Sequence, residues 1–288
     1  MRLHRIGSLV ALAAACCHPP TPAMIPKGRI AAFTLPGHVL FRVPPGRVED
    51  AARAWEEAGF VVVRGGPSED LVNAMIYFPD GWFIELFGLG PQLRVTLPLF
   101  FARFIDPAMH TRFGSLVRAT GEEWLDWSVD VTNLARVRDN LDSSGVSISS
   151  VRSFARTQSD GSEVAWELAM PEMLPLPFLK SPYRGHLPIP VAAKLHPNGV
   201  RGIAAVVLEV PDVEAAKRQL MLLAEPTTRG SQDIRLAGVR VVLEKGGEVR
   251  LREVVLCVEG PDRHDVSVRR VGSENSVTLH ATPCALRR

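Results

Sequence analysis

The 288-residue chain lacks the common catalytic signatures. It has no GxSxG elbow, no HExxH helix and no phosphate-binding P-loop, and "GLGPQL" from Gly88 has neither the third glycine nor the helix start of a dinucleotide loop. Those absences remove the usual serine-hydrolase, zinc-peptidase and nucleotide chemistries, and no organic cofactor is expected. It also lacks an excess of charge. Its 33 Lys and Arg stand against 31 Asp and Glu, a net +2 that gives no electrostatic case for nucleic acid or an anionic membrane. Cysteine is scarce: Cys16 and Cys17 are adjacent, Cys257 and Cys284 lie apart, and no CxxC or zinc-ribbon spacing occurs. Within "VVLCVEG", Cys257 reads as a small core residue.

Long apolar runs are missing as well, so no stable membrane span is expected. The longest candidate, Ile6 to Cys17, is too short for a bilayer. It follows Arg2 and Arg5, precedes a Pro-rich stretch, and belongs to a segment without acidic residues before Glu49. Residues 1–35 therefore read as a removable or disordered leader, secretory or organellar, with a cytoplasmic location if the segment is only an extension.

What the chain does have is repetition. His38 to Val43 reads as a strand and Val48 to Ala58 as a helix with Val48, Ala52 and Trp55 on one face, stopped by Gly59. "FVVVRGG", "NAMIYF" and "GWFIELFG" add three strands, giving a βαβββ module over 37–90. The order recurs over 122–170: strand "WLDWSVDV", a helix with Leu134, Val137 and Leu141 inward and Gly145 as its stop, then "SISSVRSFAR" and "EVAWELAM". Asp80-Gly81 and Asp160-Gly161 punctuate both modules alike. A third start at 201–260 continues into an expected hairpin at Gly246-Gly247. Residues 171–200 read as a Pro-rich connector and 261–288 as a C-terminal tail. The earlier connector, with Phe100, Phe101, Phe104 and Phe113, reads as a cover over apolar surface. The fold class is α+β, with curved mixed sheets and helices on the outer face. An exposed edge in the third module could pair in a homodimer or be covered by the C-terminal tail.

Strand alternation places the candidate site. His38, Leu40 and Arg42 share the inner face of the first strand, and Phe83, Glu85 and Phe87 share a face of the fourth. Trp124, Asp126, Ser128 and Asp130 are expected to look into the cavity, with Leu125, Trp127, Val129 and Val131 toward the helices. Two carboxylates, Glu85 and Glu167, stand in apolar strands, where burial without a partner costs several kcal/mol.

Four stretches, "GHVLFRVP", "AGFVVVRGG…NAMIYFPDGWFIELFG", "LPFLKSP" and "HPNGVRGIAAVVLEVPD", resemble the glyoxalase-like domain family of the vicinal-oxygen-chelate superfamily over roughly Gly37 to Glu225. One departure stands out: Pro67-Ser68 follow Gly65-Gly66 where the family usually has a histidine. In metal-binding members of the superfamily the ligands come from the first and last strands of paired modules. The resemblance therefore implies His38, Glu85, Asp126 and Glu167 as ligands of a divalent metal (Fe, Mn, Ni or Zn), with Ser128 or Asp130 as alternatives to Asp126. Glu85 or Glu167 would move the proton and Arg42, Trp82 and Trp124 would border a small-molecule pocket. The expected activity is a metal-dependent isomerase, lyase or oxygenase acting on an oxygen-rich substrate; the alternative is a metal-free small-molecule binder. Convergence of His38, Glu85 and Glu167 would favour the first, and arginine partners for the carboxylates the second. His196 reads as a residue that caps backbone groups, and Arg156 and Arg184 as groups able to meet an anionic ligand.

Overall fold

The structure is a computed structural model, describing residues 34–65, 72–88, 106–119, 121–157, 161–185, 187–224, 234–260, 264–270 and 276–284. The leader up to residue 33, Pro67-Ser68, Phe100, Phe101, Phe104 and Asp160 lie outside the described residues.

Module one runs from β1 (Thr34–Leu35) and β2 (His38–Arg42) through α1 (Val48–Glu57) to β3 (Val63–Arg64), β4 (Asn73–Tyr77) and β5 (Phe83–Phe87). Helix α1 buries Val48, Ala51, Ala52 and Trp55, as the 3.6-residue period requires, and Gly59 ends the turn at a φ of 83°. Pairing places the strands in the order β3-β4-β5-β2, with β5 parallel to β2.

A helix from the first connector, α2 (Pro107–Arg118), precedes module two. Asp106 caps it by accepting from the Met109 amide. Module two then comprises β6 (Trp124–Val131), α3 (Leu134–Ser143), β7 (Arg152–Thr157), β8 (Glu163–Ala169) and β9 (Phe178–Lys180), in the order β6-β9-β8-β7. Strand β9 lies within the stretch read as a connector, so module two ends ten residues beyond Met170. The three-residue strand lies between Pro177 and Pro182, and pairing with β6 and β8 holds it in the sheet.

The two modules meet where β2 runs antiparallel to β6. Gly37 makes that approach feasible: a Cβ there would sit 2.3 Å from the Ser128 carbonyl oxygen. The register pairs Val39 with Trp127 and Leu40 with Asp126, then Phe41 with Trp124, so Leu125 is an extra residue. This bulge corrects the expected alternation. It turns Trp124 onto Phe41, 5.1 Å away in the helix-side core, while Leu125 packs on the inner face.

The second sheet contains β10 (Val200–Val210), β11 (Ile234–Leu236), β12 (Val239–Lys245), β13 (Arg250–Val258), β14 (His264–Arg269) and β15 (Ser276–Pro283), with α4 (Val213–Leu220) after β10. Its order is β11-β12-β10-β13-β15-β14. The expected hairpin at Gly246-Gly247 does not form, because β10 lies between β12 and β13. The tight turn is Ala237-Gly238, with φ of 50° and 80°, joining β11 to β12. The segment read as a tail supplies β14 and β15, with β15 parallel to β13 as β9 is to β6. The second sheet thus repeats the seam of the first, β10 against β13 in the place of β2 against β6.

Cys257 is bonded to Cys284 and only half-buried, a correction to its reading as a core residue. Both sheets and helices α1, α3 and α4 share one apolar core, including Trp55, Trp82, Trp127, Val206 and Leu256.

Candidate functional site

The inner face of the first sheet carries a buried polar cluster at the seam. Register aligns His38 with Phe83 and Leu40 with Glu85, while on the module-two side it aligns Ser128 with Phe178 and Asp130 with Lys180. All of these side chains project to one face.

Glu85 is satisfied from two sides. Its Oε1 accepts from Asn73 Nδ2 at 2.8 Å, and its Oε2 lies 3.5 Å from His38 Nε2. The His38 Nδ1 is 2.8 Å from Ser128 Oγ, and the ring stacks on Phe83 at 4.6 Å. Desolvation, assisted by the Lys180 charge, pulls the imidazole down to about 3. Desolvation also raises Glu85, against the Asn73 hydrogen bond and the charges of Arg156 and Lys180. His38 is neutral at neutral pH, so its contact with Glu85 is not an ion pair.

Across the seam Lys180 Nζ donates to Asp130 Oδ2 at 2.7 Å and to the Ser181 carbonyl at 3.1 Å, and sits 4.0 Å from the centre of the Tyr183 ring. Burial lowers Lys180 against the pull of Asp130 and Glu85, and burial raises Asp130 to about 6.

The structure brings His38 and Glu85 together and brings neither Asp126 nor Glu167 to them. Asp126 holds Arg112 of α2 in a buried two-pronged ion pair, 2.8 Å from Nε and 2.5 Å from Nη2. That pair docks α2 on the inner face, where Leu116, Met109 and Phe113 pack with Leu40 and Phe178. Glu167 is on β8, the third strand of module two. Two residues on, Ala169 pairs with Leu179, which pairs with Val129 of the helix-side core, so Glu167 belongs to the opposite face. Its carboxylate lies 3.7 Å from Arg184.

Of the three expected pocket residues, Arg42 keeps its face and Trp82 and Trp124 belong to the helix-side core. Arg42 is buried on the inner face beside Phe87. Trp82 is a core residue whose Nε1 donates to the Ala237 carbonyl at 3.2 Å, and Trp124 is turned away by the bulge. His196 accepts from the Val61 amide through Nδ1 and reaches the Tyr77 carbonyl through Nε2, both at 3.0 Å, tying module one to the segment before β10.

Lys180, Asn73, Tyr183 and Arg112 were not singled out by the sequence reading. The signal for Lys180 was the alternation of Phe178 and Lys180 in "LPFLKSP", matching Phe83 and Glu85 in "WFIELF".

The donor set does not fit a resident divalent cation. A protein site for such an ion supplies three or four ligands. Here the first and last strands of the two modules offer His38, Glu85, Ser128 or Asp130, and Lys180, and the last is an ammonium. Among the described residues no group of three His, Cys, Asp or Glu is arranged to hold a metal.

The chain belongs to the glyoxalase-like domain family, whose sequence profile matches residues 37–224. Among solved structures it is similar to a hypothetical protein from Staphylococcus aureus, with 11% identity, a TM-score of 0.60, and coverage of 87% of this chain and 99% of that one. It also matches an extradiol ring-cleaving dioxygenase from B. fuscum (9% identity, TM-score 0.48, 90% and 75% covered). A Mn(II)-bound glyoxalase from Novosphingobium aromaticivorans matches at 11% identity and TM-score 0.46, with 88% and 83% covered. At these identities the likeness concerns the fold alone. No curated protein matches the chain.

Proposed function

We propose that this member of the glyoxalase-like domain family binds a small organic molecule on the inner face of its first sheet without a resident metal. One observation carries the reading: Lys180 stands on the last strand of module two where Glu85 stands on the last strand of module one. An ammonium held there by Asp130 offers a charged N–H donor in a site of low dielectric, in a place otherwise open to a cation. Phe83 and Phe178 against the His38 ring, and Phe154 and Trp166 next to the Tyr183 ring that faces Lys180, supply apolar surface for a ligand body.

A second reading, a divalent-metal-dependent isomerase, lyase or oxygenase acting on an oxygen-rich substrate, draws on the 3.5 Å approach of His38 Nε2 to Glu85 Oε2. The two readings separate on metal content. Protein purified without an affinity tag and analysed by plasma mass spectrometry should carry far less than one equivalent of Fe, Mn, Ni or Zn. Near-stoichiometric metal, lost in both His38→Ala and Glu85→Gln, would overturn the first reading in favour of the second.

A further inference from the structure

Most charges on the inner face cancel locally. Asp126 is matched by Arg112, Asp130 by Lys180, and Asp106 by Arg152. Glu85 has its two oxygens turned to Asn73 and His38. Arg156 stands outside these pairs. It pairs with Val164 on the strand face shared by Phe154, Trp166, Leu168 and Lys180. Its charge reaches Glu85, Tyr77 and Tyr183, and among the described residues it forms no ion pair. Beside it Phe154 stacks on Trp166, with ring centres 5.9 Å apart, and Tyr183 meets Trp166 edge-on at 5.6 Å. Lys180 contributes as well. Two of its three N–H groups go to Asp130 and Ser181, which leaves one for a ligand oxygen next to the Tyr183 ring.

We infer that the ligand is a small organic acid with an aromatic or apolar body, its carboxylate paired by Arg156 and its body lying against Phe154, Trp166 and Tyr183, with a polar oxygen reaching Lys180. A guanidinium suits this task because its planar fork matches a carboxylate in two parallel hydrogen bonds. This inference rests on the small-molecule reading above and adds the ligand's charge and the residue that reads it.

Cinnamate and cinnamamide share one body and differ in charge, so their binding to the full chain by titration calorimetry tests the inference. Cinnamate should bind at least about tenfold more tightly than cinnamamide. Arg156→Gln should remove that preference while leaving cinnamamide affinity unchanged, and thermal unfolding checks that the variant is folded. Arg156→Lys should restore part of the preference. Equal affinity for both compounds, unaltered in Arg156→Gln, would overturn the organic-acid inference and leave the small-molecule reading standing. Failure of both compounds to bind the wild-type protein at millimolar concentration would overturn the two together.

Discussion

Glu85 and Lys180 hold equivalent places in the two modules of the first sheet. Glu85 lies opposite Leu40 across the parallel β2–β5 pair, and Lys180 lies opposite Asp130 across the parallel β6–β9 pair. Two positions related by the module repeat thus carry opposite charge types around one buried imidazole. The repeat has kept the aromatic residue two positions earlier, Phe83 in one module and Phe178 in the other.

The His38 imidazole makes stability depend on pH. Its folded value of about 3 lies below the ordinary 6.5, so the unfolded chain binds the extra proton in that interval. Its contribution is present above pH 6.5 and is lost as pH falls from 6.5 toward 3, at most about 1.4 kcal/mol per pH unit. Asp130 acts with the opposite sign. Raised from 3.8 to about 6, it favours the folded state below pH 3.8 and loses that contribution as pH rises through 6. Urea unfolding between pH 4 and 7 should show His38→Gln flattening the slope and Asp130→Asn steepening it.

The Arg112–Asp126 pair predicts strong non-additivity. Replacing Arg112 with Met strands a buried carboxylate and should cost about 3–5 kcal/mol. The double replacement Arg112→Met with Asp126→Leu should recover a substantial part of that loss, because neither charge then remains. Chemical denaturation of the two single variants and the double variant provides the cycle.

The fold was legible in the sequence where period and punctuation agreed. Helix α1 from Val48, Ala52 and Trp55, helix α3 from Leu134, Val137 and Leu141, and the left-handed glycines 59 and 145 stand as their sequences require. The faces of His38, Leu40, Arg42 and Glu85 followed from alternation as well. What failed depended on pairing. Strand β9 is three residues long, the Leu125 bulge moved Trp124 across the sheet, and β10 separates strands that are neighbours in sequence. Glu167 was placed in the site only because β8 passed for the last strand of its module. Lys180 became visible once β9 was paired with β6.

The Cys257–Cys284 bond ties β13 to the end of β15 and encloses the β14–β15 hairpin in a loop of 27 residues. In the chain-entropy account closing such a loop contributes about 3 kcal/mol. Cys284→Ser should therefore lower the denaturation midpoint by a corresponding amount. A reductant should lower the wild-type midpoint in the same way and leave that of the variant unchanged. Thiol titration of unreduced, unfolded protein should find one more free thiol in Cys284→Ser than in the wild type.

The Lys180 ammonium occupies the place on the last strand of module two from which a side chain would hold a metal. Manganese(II) titration calorimetry on the wild-type protein and on Lys180→His, each confirmed folded by circular dichroism, tests this most directly. The wild type should show no saturable Mn(II) binding, and Lys180→His should bind about one equivalent, with His38, Glu85 and the introduced imidazole as three ligands. Tight stoichiometric binding in the wild type, weakened in Lys180→His and abolished in His38→Ala, would contradict it.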